Sequence, residues 1–360
     1  MKHRIFSLRR MPYSNRHTKI LALLESKGLD ALLVYSSRFD SRFLRWLTGI
    51  TCNSAFHYYL VTRSEVTFLE ISYRVSELQE KTKAAILPIS EENQAHIAIK
   101  QATAAYKQIG LIGYAPYAHV APIVDRIQDL TLPSERLLLS KSRSEQDQIE
   151  KLSASLLNAI VAVGRDIEVG MSEKEIEENL AALLSRCSDR LACPITVLSG
   201  DRLKRGTVGK ASDRRLASSD ALLIDAAVAK DGLFSDLTRM FFTGPSQAFE
   251  NYQLLTKAQQ QILAGLEPGM LGPDVLQTVR TALQENGLPK ETLTIQDLGH
   301  GIGFSLHEEP FYCTPTSDSY PIAEGAVFTI EPEILLNGAY LRIEDMVAMR
   351  QSKLVAYSHS

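Results

Sequence analysis

The pattern that most constrains this chain is a carboxylate set in each arm of two apolar hairpins. Residues 221–242, ALLIDAAVAKDGLFSDLTRMFF, read as two strands around Asp231-Gly232, and residues 326–349, AVFTIEPEILLNGAYLRIEDMVAM, as strand, turn, strand around Asn337-Gly338. Asn-Gly and Asp-Gly are strong hairpin signals because both residues tolerate positive φ. A two-residue turn at 337–338 sets Glu331 directly opposite Glu344, and a four-residue loop at 229–232 would set Asp225 opposite Asp236. Opposed residues share a face, with Cβ atoms about 4.5–5.5 Å apart, so each hairpin aims two carboxylates at one spot. Acids facing water from an edge strand would be the simpler account of one such hairpin. Two hairpins with the same layout, inside runs as apolar as ALLID and VFTIE, instead imply a divalent-cation site with two ions. No D-x-D-x-D-G loop occurs, so an EF-hand is excluded.

Between the hairpins lies DLGHGIGFSLHEEP, with His300 among Gly299, Gly301 and Gly303, where backbone can approach a ligand closely. A lone histidine is usually a satisfied structural residue. Beside four carboxylates, however, His300 adds nitrogen to an oxygen-rich set, which suits manganese, cobalt, iron or zinc better than calcium. His307 lies too far along the chain to be an obvious second ligand and fits a proton donor or oxyanion partner. The glycines do not make GxGxxG, no Walker sequence occurs, and Ser305 is not in GxSxG, which sets aside nucleotide-binding and serine-hydrolase readings.

The rest of the chain reads as two α/β parts, 1–138 and 139–360. In the first, TKILALLESKG has helical spacing with a glycine stop, LDALLVYSS is a strand, and FHYYLVTRSEVTFLEI is strand, turn, strand. AAILPI and QIGLIGY add two strands with a helix between them. Two long amphipathic helices open the second part. The spacing predicts Ser144 as the cap of the first, and Ser172 with Glu175 as the capping box of the second. A net charge of −3 gives no reason to expect nucleic acid or an anionic membrane as a partner, and no apolar run reaches the roughly 18 residues of a membrane span. The sparse cysteines, Cys52, Cys187, Cys193 and Cys313, read as reduced and mostly buried thiols of a cytoplasmic protein. The first 24 residues are basic and free of acids, as in a transit peptide or a plain solvated tail, and residues 1–11 are expected to be disordered.

LLIDAAVAKDGLFSDLTRMFFTG, GHGIGFSLHEEP, FTIEPEI and LRIEDMV together resemble the pita-bread metallopeptidases, in the aminopeptidase P and prolidase branch. GLDALLV and FLRWLTGI resemble that branch's creatinase-type N-terminal domain. The resemblance implies a creatinase-like α/β domain followed by a pita-bread catalytic domain, a homodimer, and an Xaa-Pro peptidase working with two divalent ions such as manganese. It implies that Asp225 holds one ion, that Asp236 and Glu344 bridge both, and that His300 and Glu331 complete the other ion's shell. Glu331 would also take the proton of the attacking water, and His307 would stabilise the tetrahedral intermediate. Arg342 would orient the ligands, although a solvated strand arginine would look the same in sequence.

Two positions depart from that branch's pattern. Most catalytic members carry a histidine just before Ser-Asp-Arg, at about Thr207 to Gly209 here, and no histidine occurs between His119 and His300. Prolidases tend to place an arginine where this chain has Phe311. Besides an Xaa-Pro peptidase, the scaffold therefore admits a metal-dependent enzyme acting on a small non-peptide substrate, or a non-catalytic binding module.

Overall fold

Runs of branched and aromatic residues in the first hundred positions have the length of strands rather than helices, and they assemble into one sheet. The computed structural model describes residues 14–51, 54–294, 297–313 and 320–358. The basic tail of residues 1–11 and the positions of Cys52 lie outside these. The chain divides into two compact units, Met1–Leu138 and Leu139–Ser360. Both mix helices with sheets, as the sequence pattern implies.

The first unit is a six-stranded sheet flanked by helices. Its strands are β1 (Ala31–Ser36), β2 (His57–Thr62), β3 (Val66–Ile71), β4 (Ala85–Ile89), β5 (Ile109–Ile112) and β6 (Ile127–Asp129), in the order β4-β3-β2-β1-β5-β6. The β1–β2 and β2–β3 pairs are antiparallel, and the outer pairs are parallel. Every residue of β2 and β3 is buried, and Trp46, Tyr58, Tyr59 and Phe68 fill the interior. Aromatic side chains of this size dominate the burial energetics of a core.

The second unit begins with the helix Arg143–Arg165. Its cap is Ser142, not Ser144: Ser142 Oγ accepts from the Glu145 N–H at 3.4 Å, and the Glu145 carboxylate accepts from the Ser142 N–H at 2.9 Å. The reciprocal box uses a Glu or Gln three residues after the cap: Ser142 has Glu145 there, whereas Ser144 has the shorter Asp147. Ser172 and Glu175 form the same box on the helix Glu173–Leu184.

Strands β7 (Arg190–Leu191), β8 (Thr196–Ser199), β9 (Ala221–Lys230) and β10 (Leu233–Phe242) form one sheet centred on β9. A second sheet contains β11 (Asp297–Gly301), β12 (Glu308–Cys313), β13 (Val327–Ile330), β16 (Asp345–Arg350) and β17 (Lys353–Ala356), while β14 (Glu333–Leu336) and β15 (Ala339–Arg342) form a separate two-stranded ladder, with Ile334 also bridging to Leu293.

Both hairpins differ from the expected geometry. In the first, Asp231 and Gly232 have φ of 51° and 71° and close the turn in two residues rather than four. Asp225 therefore pairs with Thr238, and Asp236 with Ala227. A two-residue shift keeps side chains on the same face, so the two carboxylates are diagonal neighbours instead of a direct pair. In the second, Asn337 and Gly338 make the expected two-residue turn, with Leu336 opposite Ala339 and Glu333 opposite Arg342. The same register resumes at Ile330 and Asp345, so the expected continuous hairpin is two ladders with a break. Pro332 sits in that break, where its missing N–H cannot continue the ladder. Glu331 and Glu344 flank it at matched positions.

Among the described residues, no helix is long and apolar enough to cross a membrane.

Candidate metal centre

Freed from the ladder, the backbone at the break finds other partners. The Glu331 N–H donates to the Leu298 carbonyl at 3.0 Å, and the Glu344 N–H donates to the Thr238 carbonyl at 3.2 Å. The first contact brings Glu331 beside β11, which carries His300. The second bridges the second hairpin to β10, one residue pair from Asp236. Four carboxylates and an imidazole thus arrive from β9, β10, β11 and the ladder break.

Their ligand atoms fall into three groups, each lying within 4.8 Å: Asp225, Asp236 and Glu344; His300, Glu331 and Glu344; and Asp236, His300 and His307. Glu344 is common to the first two, as a residue placed between two cations would be. His307 is closer than the sequence suggested. The turn after β11 folds back, and the two imidazoles meet edge to face with centroids 4.4 Å apart. His307 is exposed, whereas Asp236, His300, Glu331 and Glu344 are buried. The glycines around His300 admit protein backbone rather than a ligand: a Cβ on Gly299 would lie 2.0 Å from the Thr329 carbonyl oxygen, and one on Gly301 2.2 Å from that of Glu309.

The electrostatics are those of an unfinished site. Burial, then the charges of Glu344 and Asp225, push the Asp236 carboxyl well above its usual range. Burial, then Glu331 and Asp225, do the same to Glu344. Asp225 is raised by burial, with the Arg342 guanidinium opposing the rise. Asp236 Oδ1 and Glu344 Oε1 are buried with no hydrogen-bond partner among the described residues. Such oxygens cost free energy unless a cation or proton completes them. Burial, then His307, pushes His300 down to about 3, so it is a neutral imidazole at pH 7. Its Nδ1 lies 3.0 Å from the Gly301 carbonyl, which can only accept, so Nδ1 carries the proton and the Nε2 lone pair faces the carboxylates. Glu331 Oε1 is 3.7 Å from that Nε2. Oxygen-rich donors plus one neutral imidazole fit divalent cations of the manganese-to-zinc series.

Arg342 is buried beside the cluster rather than solvated. Its Nη2 donates to Asp225 Oδ2, and its Nη1 lies 3.7 Å from Glu331 Oε2. Burial opposes its charge, and Asp225, Glu331 and Glu344 outweigh that, raising its pKa.

Several supporting residues carried no sequence signal that was used. Thr238 Oγ1 donates to Glu344 Oε2 at 3.0 Å. Arg239, on the opposite face of β10, donates to the Glu344 carbonyl and to Asp345 Oδ1, each at 2.6 Å. A charged residue inside LTRMFF was the available clue. Lys141 pairs with Glu308 in full burial, and Glu308 also accepts from the Phe304 and Ser305 N–H groups, which fixes the turn carrying His307. No spacing links two residues so distant in the chain. Cys187 and Cys193 are only partly buried, contrary to expectation. Cys193 borders the site: burial, then the charges of Asp236 and Asp225, push its thiol up to about 12. At the two departures, Thr207 is buried with its hydroxyl donating to Glu333, Val208 is exposed, and Phe311 pairs with His300 in the β11–β12 ladder.

Residues 147–351 match Peptidase_M24, metallopeptidase family M24. Among similar proteins, the probable dipeptidase PepE of Mycobacterium bovis is 27% identical over 252 residues, spanning 68% of this chain and 66% of that relative, just under two thirds of its length. The Xaa-Pro dipeptidase of Pyrococcus furiosus is 25% identical over 307 residues, 82% of this chain and 85% of that one. The crystal structure of the prolidase from Pyrococcus horikoshii OT3 superposes with a TM-score of 0.83 at 22% identity, covering 96% of this chain and 98% of that one, which shows a shared two-domain fold.

Proposed function

We propose that this chain, which belongs to metallopeptidase family M24, hydrolyses the amide bond after a peptide's N-terminal residue, with proline or a similar residue following, at a centre of two divalent cations. The observation that carries this reading is the sharing of Glu344 between two ligand groups, with buried oxygens on Asp236 and Glu344 that have no hydrogen-bond partner among the described residues. Asp225, Asp236 and Glu344 would hold one ion, and His300, Glu331 and Glu344 the other, with Asp236 also within reach of the second. Bound there, the ions would supply Lewis acidity and an acidified water at neutral pH.

The chain's own residues supply the rest. Glu331 stands next to His300 and Arg342, placed to take a proton from the attacking water and return it to the leaving amine. His307 is exposed over His300 and can donate a hydrogen bond to the oxyanion that develops on the scissile carbonyl. Arg342 fixes Asp225 in one orientation through its Nη2 contact.

Elemental analysis together with a panel of Xaa-Pro peptides tests the reading. Two manganese ions per chain with turnover of these peptides is the expected result. A second reading, a small non-peptide substrate, is favoured by the absence of a histidine at about Thr207 to Gly209 and by Phe311 standing where prolidases tend to place an arginine. It predicts two bound ions with no peptide turnover.

A further inference from the structure

A fifth carboxylate lies in this region, and the chemistry above does not use it. Glu333 opens β14, directly opposite Arg342 in the ladder, and is 9% exposed. Its Oε2 accepts from the Thr207 hydroxyl and its Oε1 from the Thr294 hydroxyl at 3.1 Å. Both donors are neutral, so they satisfy its hydrogen bonding and leave its charge in place. Glu333 is among the carboxylates that stabilise the cation of Arg342. Arg342 itself leans on Asp225 and Glu331, two residues whose charge is needed for cations.

A guanidinium and a metal ion compete for the same carboxylate charge, and the competition is strong in a buried site. The four ligand carboxylates balance two divalent ions. Arg342 adds one positive charge to that set, and Glu333 cancels it. We infer that Glu333 is a positioning residue that supplies the counter-charge of Arg342 and so keeps Asp225 and Glu331 available to cations. The inference rests on the two-ion reading above. It also gives Thr207 a role: its hydroxyl helps fix the carboxylate of Glu333, which shares a ladder position with Arg342.

The test is calorimetric titration of Mn²⁺ into the full-length, metal-stripped protein. Glu333→Gln preserves shape and an acceptor for one threonine. It is expected to weaken Mn²⁺ binding about 10-fold, the lower end of the range for residues that support metal ligands. In an Arg342→Met background the same substitution should change affinity less than about twofold, because the charge it balances is gone. Glu333→Asp keeps the charge and should stay within about threefold of wild type. Wild-type affinity in Glu333→Gln would overturn the inference. So would an equal loss with and without Arg342, or a Glu333→Asp loss as large as that of Glu333→Gln. A wild-type chain that binds no Mn²⁺ would overturn the two-ion reading and this inference together, whereas two bound ions with unchanged variants would overturn this inference alone.

Discussion

Two buried acidic sites in the second unit treat their carboxylates in opposite ways. Glu173, fully buried at the start of its helix, accepts from the N–H groups of Ser199 and Ser212 at 2.7 and 3.0 Å, from both serine hydroxyls at 2.8 and 2.7 Å, and from Arg202. Around Asp236 and Glu344 the largest charge interactions are with other carboxylates, and one oxygen of each has no hydrogen-bond partner among the described residues. Evenly satisfied charge, as at Glu173, stabilises a fold and locks the segment 199–212. Crowded and unsatisfied charge destabilises the bare chain unless a proton or a cation completes it, which is the arrangement of a candidate cation site rather than of a structural ion pair.

The sharpest way to break this contrast is to remove one acid from each site. Asp236→Ala should abolish measurable Mn²⁺ uptake while leaving the thermal midpoint of the metal-free protein unchanged or raised. Undiminished metal content by elemental analysis would put Asp236 outside the centre. Glu173→Ala should do the reverse. It removes the shared acceptor of the Ser199 and Ser212 N–H and hydroxyl groups and one partner of Arg202, so unfolding free energy by urea titration should fall by about 3 kcal/mol, with metal content per folded chain unchanged. Equal losses of stability at the two sites would erase the distinction.

His307→Ala probes the exposed edge of the centre. Metal content should hold while kcat falls about 100- to 1000-fold, the range for a lost oxyanion donor. Unchanged turnover would remove its proposed role.

The smallest effect is one of pH. The folded-state pKa values of Asp236 and Glu344 are raised, so above the ordinary carboxylate range the folded metal-free chain holds protons that the unfolded chain has lost. Stability of the metal-free protein should therefore fall as pH rises from about 4, and the stabilisation given by Mn²⁺ should grow. Melting curves at pH 6 and pH 8, with and without Mn²⁺, measure both signs. A metal-induced shift that shrinks at the higher pH would contradict the charge crowding.

Much of the centre was legible because its acids interrupt apolar strands. Asp225, Asp236, Glu331 and Glu344 stand in runs where a core residue is expected, and two turn dipeptides fix which face each takes. Asn337-Gly338 gave the correct register. Asp231-Gly232 did not, since the sequence does not state whether an Asp-Gly closes in two residues or four. The ladder break is local chemistry, a proline without an N–H, and its signal stands in Glu-Pro-Glu, although the hairpin was expected to be continuous. The supports were not readable. Lys141 with Glu308, and Thr207 with Glu333, meet only after the chain has folded, and each residue alone looks like a surface polar group. His307 was singled out from the sequence, but its distance along the chain concealed how far the turn folds back on His300.

The most direct measurement of the central claim is anomalous scattering from crystals of the Mn²⁺-loaded protein. Two peaks about 3.5–4 Å apart, with Glu344 between them, are expected. A single peak, or ions bound away from Asp225, Asp236, His300, Glu331 and Glu344, would contradict it.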